Sequence, residues 1–212
     1  MRPSRLFPFA AACALAATLH AAEAPLYSND FESAEVDRTP ADFMVTAGAF
    51  LVKPEGGGKC LELPGEPLDT FGLLFGQAKK GDLTASARFL GTKKGRKFPS
   101  FGVSLGGVGG YRLQVSAGKK TLELFEGDEA RASVAYEWKD DSWTSLRIQL
   151  RKTVAGWTVE GKAWPAGTPE PAEWTIRHDA KAEPATGRAG IWGSPYSGTP
   201  IRFDDLLLAP AH

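Results

Sequence analysis

Residues 82–90 read DLTASARFL, with Leu83, Ala85, Ala87 and Phe89 on one side and Thr84, Ser86 and Arg88 on the other. Side chains that alternate at period two belong to a β-strand with one buried face, because successive residues point opposite ways. The pattern recurs. Phe101, Val103 and Leu105 oppose Gly102 and Ser104, and Tyr111, Leu113 and Val115 oppose Arg112, Gln114 and Ser116. Leu146, Ile148 and Leu150 oppose Arg147 and Gln149, and Trp157 and Val159 oppose Glu160 and Lys162. Further strands are expected over 27–32, 49–53, 59–63, 71–75, 121–126, 134–138, 174–177, 189–192 and 201–208.

Roughly a dozen short strands, with no amphipathic helix between them, predict an all-β sandwich or barrel. The 24 glycines and 15 prolines supply its turns. GGVGG (106–110) reads as a hairpin turn, and no helix follows it to make a dinucleotide loop. KKGRK (93–97) reads as a solvated hairpin tip, the alternative being a patch for acidic saccharides of the heparin kind. PAGTPEP (165–171) reads as a surface loop rather than a linker, since strands resume after it. Residues 23–212 thus form one domain, long enough for a full core.

The first 22 residues, MRPSRLFPFAAACALAATLHAA, have the form of a secretory signal peptide. Arg2 and Arg5 make a positive start, Leu6 to Leu19 an apolar run, and Ala21, Ala22 and Ala24 offer small residues for cleavage. The run is shorter than the ~20 residues of a membrane span, and no transmembrane segment is expected elsewhere. The expectation is export to the periplasm or the cell exterior. Cys13 falls inside this leader, so Cys60 is the one cysteine beyond it and has no intramolecular disulfide partner; it reads as a small buried apolar residue. Basic and acidic residues number 25 each, a balance that argues against nucleic acid as the main partner.

The last strand, IRFDDLLL (201–208), poses a problem. If Phe203 and Leu207 face the core, unbroken alternation buries Asp205 with them, which is costly for a carboxylate without partners. The stretch therefore implies a bulge that turns Asp205 outward, a network of donors, or a metal ion.

Three stretches carry a resemblance: YSNDFES at the start of the domain, DSWTSLRIQL in its middle, and GRAGIWGSPYSGTPIRFDDLLL at its end. In order and spacing they resemble the concanavalin A-like lectin/glucanase superfamily. The nearest likeness is to exported bacterial domains of the family 16 glycoside hydrolase-like or 3-keto-disaccharide hydrolase-like kind. The resemblance implies a jelly-roll sandwich of two curved antiparallel sheets with ligands on the concave sheet. It implies that the last strand pairs near the first, bringing Asp30 towards Asp205, where several such domains hold a structural Ca²⁺. Trp143 is expected to plug one end of the sandwich, and Gly187 and Gly190 to allow a close approach to the penultimate strand.

A glycosidase needs two carboxylates facing one cleft, about 5–5.5 Å apart for retention or 6.5–9.5 Å for inversion. The signature Glu-x-Asp-x-x-Glu of the laminarinase type is missing, and Glu123 is the one acid that alternation places on the polar face. His178 and His212 are too few for a histidine metal site, and the catalytic residues stay undefined. The remaining candidate is a carbohydrate-binding surface: Arg88, Ser104, Arg112, Gln114, Glu123 and Trp192 on one polar face, with Tyr196 in the loop beyond. Planar aromatics stack on the apolar face of a pyranose, while Arg, Gln and Glu bond its hydroxyls. Three readings follow: a non-catalytic carbohydrate-binding module, a glycoside hydrolase, or an envelope structural protein.

Overall fold

The computed structural model describes residues 24–66 and 69–211, so the leader and its cleavage site lie outside the described residues. Among the described residues there are fifteen strands. In chain order they are β1 (Tyr27–Asn29), β2 (Met44–Ala47), β3 (Leu51–Glu55), β4 (Gly58–Leu63), β5 (Phe71–Lys79) and β6 (Leu83–Leu90). There follow β7 (Ser100–Leu105), β8 (Tyr111–Ser116), β9 (Thr121–Glu126), β10 (Glu129–Ala135) and β11 (Thr144–Thr153). The chain closes with β12 (Gly156–Pro165), β13 (Ile176–Ala180), β14 (Gly187–Ser194) and β15 (Ile201–Pro210). Among the described residues no helix is long and apolar enough to cross a membrane.

Two antiparallel sheets form the sandwich. The eight-stranded sheet runs β13-β12-β11-β6-β15-β4-β3, with β1 added on β15, and the seven-stranded sheet runs β10-β9-β8-β7-β14-β5-β2. Between them lie the inward halves of the alternating strands. Phe31, Phe50, Phe75, Phe89, Phe101 and Phe203 are all fully buried. Phe89 of one sheet stacks on Phe101 of the other with ring centroids 5.1 Å apart, and Phe203 meets Phe89 edge-on at 5.5 Å. Burying a phenylalanine is worth roughly 1.5–3 kcal/mol, so this aromatic layer is a large share of what joins the sheets. Cys60 is fully buried, and burial pushes its thiol up to about 12.

β2 and β10 are among the strands that depart from the sequence reading. β2 (MVTA) was not foreseen, because all four residues are exposed and show no alternation. β10 begins at Glu129 directly after a turn at Gly127, five residues before the expected start.

The acidic closing strand is resolved by a bulge. In the pairing of β15 with β6, Asp204 faces Arg88 but Leu207 faces Ser86, so β15 carries one extra residue. Asp205 takes the left-handed φ of 49° there. An extra residue flips the alternation that follows it. Ile201 and Phe203 point inward before the bulge, and Leu206 and Leu208 point inward after it. Leu207, read as a core residue, therefore faces outward. Asp205 is exposed, and Arg88 holds both acids: its Nη2 donates to Asp204 Oδ2 at 2.6 Å, and its Nε lies 2.7 Å from Asp205 Oδ2 as an ion pair. β1 pairs with β15 as the resemblance implied, with Asn29 opposite Leu206.

Candidate binding face

Each sheet has an outer face, and the two differ. On the eight-stranded sheet the polar side chains are spent on one another. Glu160, 4% exposed, accepts from Gln149 Nε2 at 3.2 Å and lies 3.8 and 3.7 Å from Arg151 and Arg177. Lys162, 6% exposed, pairs with Glu170 at 2.7 Å, donates to the Pro171 carbonyl at 2.7 Å and lies 4.5 Å over the Trp174 ring. The 165–175 segment thus folds over this face and closes it.

Arg88 belongs to this same outer surface, because β6 lies in the eight-stranded sheet. It does not share a face with Ser104, Arg112, Gln114, Glu123 and Trp192. Alternation gave its direction correctly, but β6 and β7 enter different sheets. Trp143, expected to plug one end of the sandwich, lies here instead: it is half-buried, with the Arg88 guanidinium 5.3 Å from its ring.

Asp30 and Asp205 line a shallow cavity with Ser28, Asn29, Ser33 and Ser86. Their juxtaposition is as expected, but the fit to Ca²⁺ is not. Asp205 is engaged by Arg88, whose charge opposes a cation, and Asp30 Oδ1 accepts from the Glu32 backbone N–H at 3.2 Å. Among the described residues no three of His, Cys, Asp and Glu converge on a metal-sized site. Hard cations of this size take six to eight oxygens, which this pair does not assemble.

The seven-stranded sheet is more open on its outer face. Cross-strand registers place Gly72, Trp192, Gly102, Gln114 and Glu123 in one row, and Leu74, Gly190, Ser104, Arg112 and Phe125 in the next. Five of the seven predicted binding residues stand in these two rows. Trp192 is half-buried and points away from the core. Its indole comes close to the sheet backbone because the neighbouring residue is Gly102, where a Cβ would stand 2.5 Å from the indole nitrogen. Gly187 and Gly190 in β14 allow a similar approach; a Cβ on Gly190 would meet Leu74 and Ser104 at 2.8 Å.

Arg112 does not pair with Glu123. Its guanidinium is held between two rings, 4.6 Å from Trp192 and 4.8 Å from Phe125. Such cation–π contacts gain strength as water is excluded. Desolvation, opposed by Asp128 and Glu123, lowers the Arg112 pKa from its ordinary value. Phe125 is the residue that sequence reasoning missed; its signal was the alternation of TLELFE, which turns Phe125 to the same side as Glu123. Glu123, 6% exposed, accepts from the Ser116 hydroxyl and lies 3.3 Å from Lys119 Nζ, while Gln114 Nε2 donates to Ser116 Oγ at 2.6 Å.

Two cavities flank the Trp192 row. One, of about 210 Å³, lies towards the GGVGG turn and is lined by Leu74, Ser104, Val108, Arg112 and Trp192 among others. The other, of about 500 Å³, lies towards the KKGRK hairpin and is lined by Arg96, Lys97, Phe98, Gln114, Lys119 and Tyr196 among others. Tyr196, 42% exposed, is thereby brought to the same face by its loop. Glu123 is the one acid that alternation directs outward from β5, β7, β8, β9 and β14.

No family model matches the sequence, and no curated protein matches it. Solved structures do match. The carbohydrate recognition domain of Emp46p is similar with a TM-score of 0.62 at 12% identity, over 89% of this chain and 98% of that one. The carbohydrate-binding module CBM66 from Bacillus subtilis is similar with a TM-score of 0.55 at 12% identity, over 79% of this chain and 95% of that one. The catalytic domain of a GH131 β-glucanase from Podospora anserina gives 0.54 at 10% identity, over 90% and 97%. The Emp46p domain is known both metal-free and potassium-bound. At such identities the likeness shows the fold, which is the concanavalin A-like sandwich of lectins and glucanases.

Proposed function

We propose that this concanavalin A-like domain is an exported, non-catalytic carbohydrate-binding module whose ligand lies on the outer face of the seven-stranded sheet. The observation that carries the reading is Trp192: a large aromatic turned outward, held between Gly102 and Arg112, and lining one of the two cavities on this face. A ring fixed in this way offers the part of its apolar surface that lines the cavity to a pyranose without first losing rotamer freedom. Ser104, Gln114 and Tyr196 supply hydroxyl and amide groups around it for sugar hydroxyls. Export is supported by the leader-like residues 1–22.

Hydrolysis by an acid pair finds less support. Glu123 is buried under Ser116 and Lys119, and the other carboxylate that acts on Arg112, Asp128, is exposed in the turn between β9 and β10 rather than on a strand of the face. The deciding experiment is a glycan-array screen of the protein, followed by a hydrolysis assay on each glycan bound. Binding without product release supports the module; release of reducing ends would replace it with an enzyme. Absence of binding to every glycan would leave the envelope structural role.

A further inference from the structure

The cavity at the KKGRK end is chemically unlike its neighbour. We propose that it selects saccharides carrying negative charge, carboxylate or sulfate, so that the module recognises an acidic polysaccharide. The inference rests on the carbohydrate-binding reading above and names its ligand class.

The argument is one of charge at a fixed place. Arg96, Lys97 and Lys119 all line this cavity. Lys119 is offset by Glu123, which lies 3.3 Å away. Arg96 and Lys97 are exposed, and among the described residues neither makes an ion pair. Lys93, in the same run, is different: it is tied to Asp140, whose Oδ1 accepts its backbone N–H at 2.8 Å. Two positive charges are thus left uncompensated at the mouth of a cavity, in a chain whose formal net charge is zero.

The backbone that carries the two charges is also held in position. Lys94 and Lys97 exchange backbone hydrogen bonds of 3.0 and 3.1 Å, which close the hairpin. The next residues descend into the fold, with Phe98 half-buried and Pro99 buried. A charge presented by an ordered hairpin loses less entropy on binding than one on a free loop. The rest of the cavity suits a sugar ring. Tyr196 provides an exposed aromatic surface, and the Gln114 amide, oriented by its bond to Ser116, keeps its carbonyl oxygen for a hydroxyl donor. A chain spanning both cavities would lay one residue near Trp192 and the next beneath Arg96 and Lys97.

The test is titration calorimetry of the full chain with four probes: tetragalacturonate, its fully methyl-esterified form, a chondroitin sulfate tetrasaccharide and cellotetraose. The proposal expects at least one anionic probe to bind, with affinity falling as salt is raised. For a carboxylate ligand the methyl ester should bind about tenfold more weakly, because two exposed charge contacts together amount to roughly that factor. The Arg96→Ala/Lys97→Ala double variant should lose the same factor on the anionic probe and keep its melting temperature. If the chondroitin sulfate alone binds, sulfate is the recognised group. Equal affinity for tetragalacturonate and its ester without sulfate binding, preferred binding of cellotetraose, or a double variant as tight as wild type would overturn the charge selectivity and leave a neutral-sugar site standing. No binding of any of the four at millimolar concentration would overturn the charge selectivity, and the glycan array decides separately whether the module reading falls with it.

Discussion

The indole nitrogen of Trp192 lies directly over Gly102, where an added Cβ would stand 2.5 Å from it and 2.3 Å from the Leu113 carbonyl oxygen. One residue without a side chain therefore sets the pose of an outward-facing aromatic of the sheet.

Gly102→Ala should lift the indole and strain the β7–β8 pairing. Overpacking of this kind costs about 1–3 kcal/mol. Denaturant unfolding should show the loss, and the tryptophan emission should shift as the ring leaves its place.

Trp192→Ala and Phe101→Ala should separate binding from folding. Phe101 is fully buried and stacked on Phe89, so its truncation should cost about 3–5 kcal/mol. Trp192 is outward and half-buried; its truncation should cost less than Phe101 and abolish glycan binding. A Trp192→Ala protein as unstable as Phe101→Ala, binding with wild-type affinity, would contradict the site.

Arg88→Ala should destabilise the protein by about 1–3 kcal/mol, since it leaves the Asp204 carboxylate, 8% exposed, without its cation. Burial, opposed by the Asp205 backbone N–H and Arg88, raises the Asp204 pKa above its ordinary value. The folded state therefore binds its proton more tightly than the unfolded chain does. That contribution to stability is present below the unfolded value of about 4 and is lost as pH rises through the higher folded value. Asp204→Asn cannot titrate, so its stability relative to wild type should improve as pH rises over that window, as read from urea midpoints at successive pH values.

Calcium and chelator should leave the melting temperature unchanged, because Asp205 is committed to Arg88. A cation bound at a hundred times its dissociation constant would add about 2.7 kcal/mol, well within reach of a thermal scan. A chelator-dependent midpoint would restore the expectation of a metal at Asp30 and Asp205.

Protein recovered from its native host should begin between Ala21 and Glu23. N-terminal sequencing checks this, and intact Met1 on cytosolic protein would contradict export.

The sequence by itself determined which way most side chains point. Parity is local, fixed by residues two apart, so Phe101, Leu113 and Ile191 could be read as inward and Ser104, Arg112 and Trp192 as outward before any fold was known. The turns at 93–97 and 106–110 were legible for the same reason, and so was the problem posed by Asp204-Asp205, for which a bulge was one of three expected solutions. Which sheet each strand enters is decided by pairing between residues far apart in the chain, and no local pattern encodes it. Arg88 and Ser104 have the same parity yet stand on opposite exteriors, because β6 pairs with β11 and β15 while β7 pairs with β8 and β14. β2 was invisible because a fully exposed strand has no buried face to mark it. The sandwiching of Arg112 between Phe125 and Trp192, the union of Asp204 and Asp205 under Arg88, and the placing of Arg96 and Lys97 beside Gln114 and Tyr196 all arise only when distant strands are brought into register.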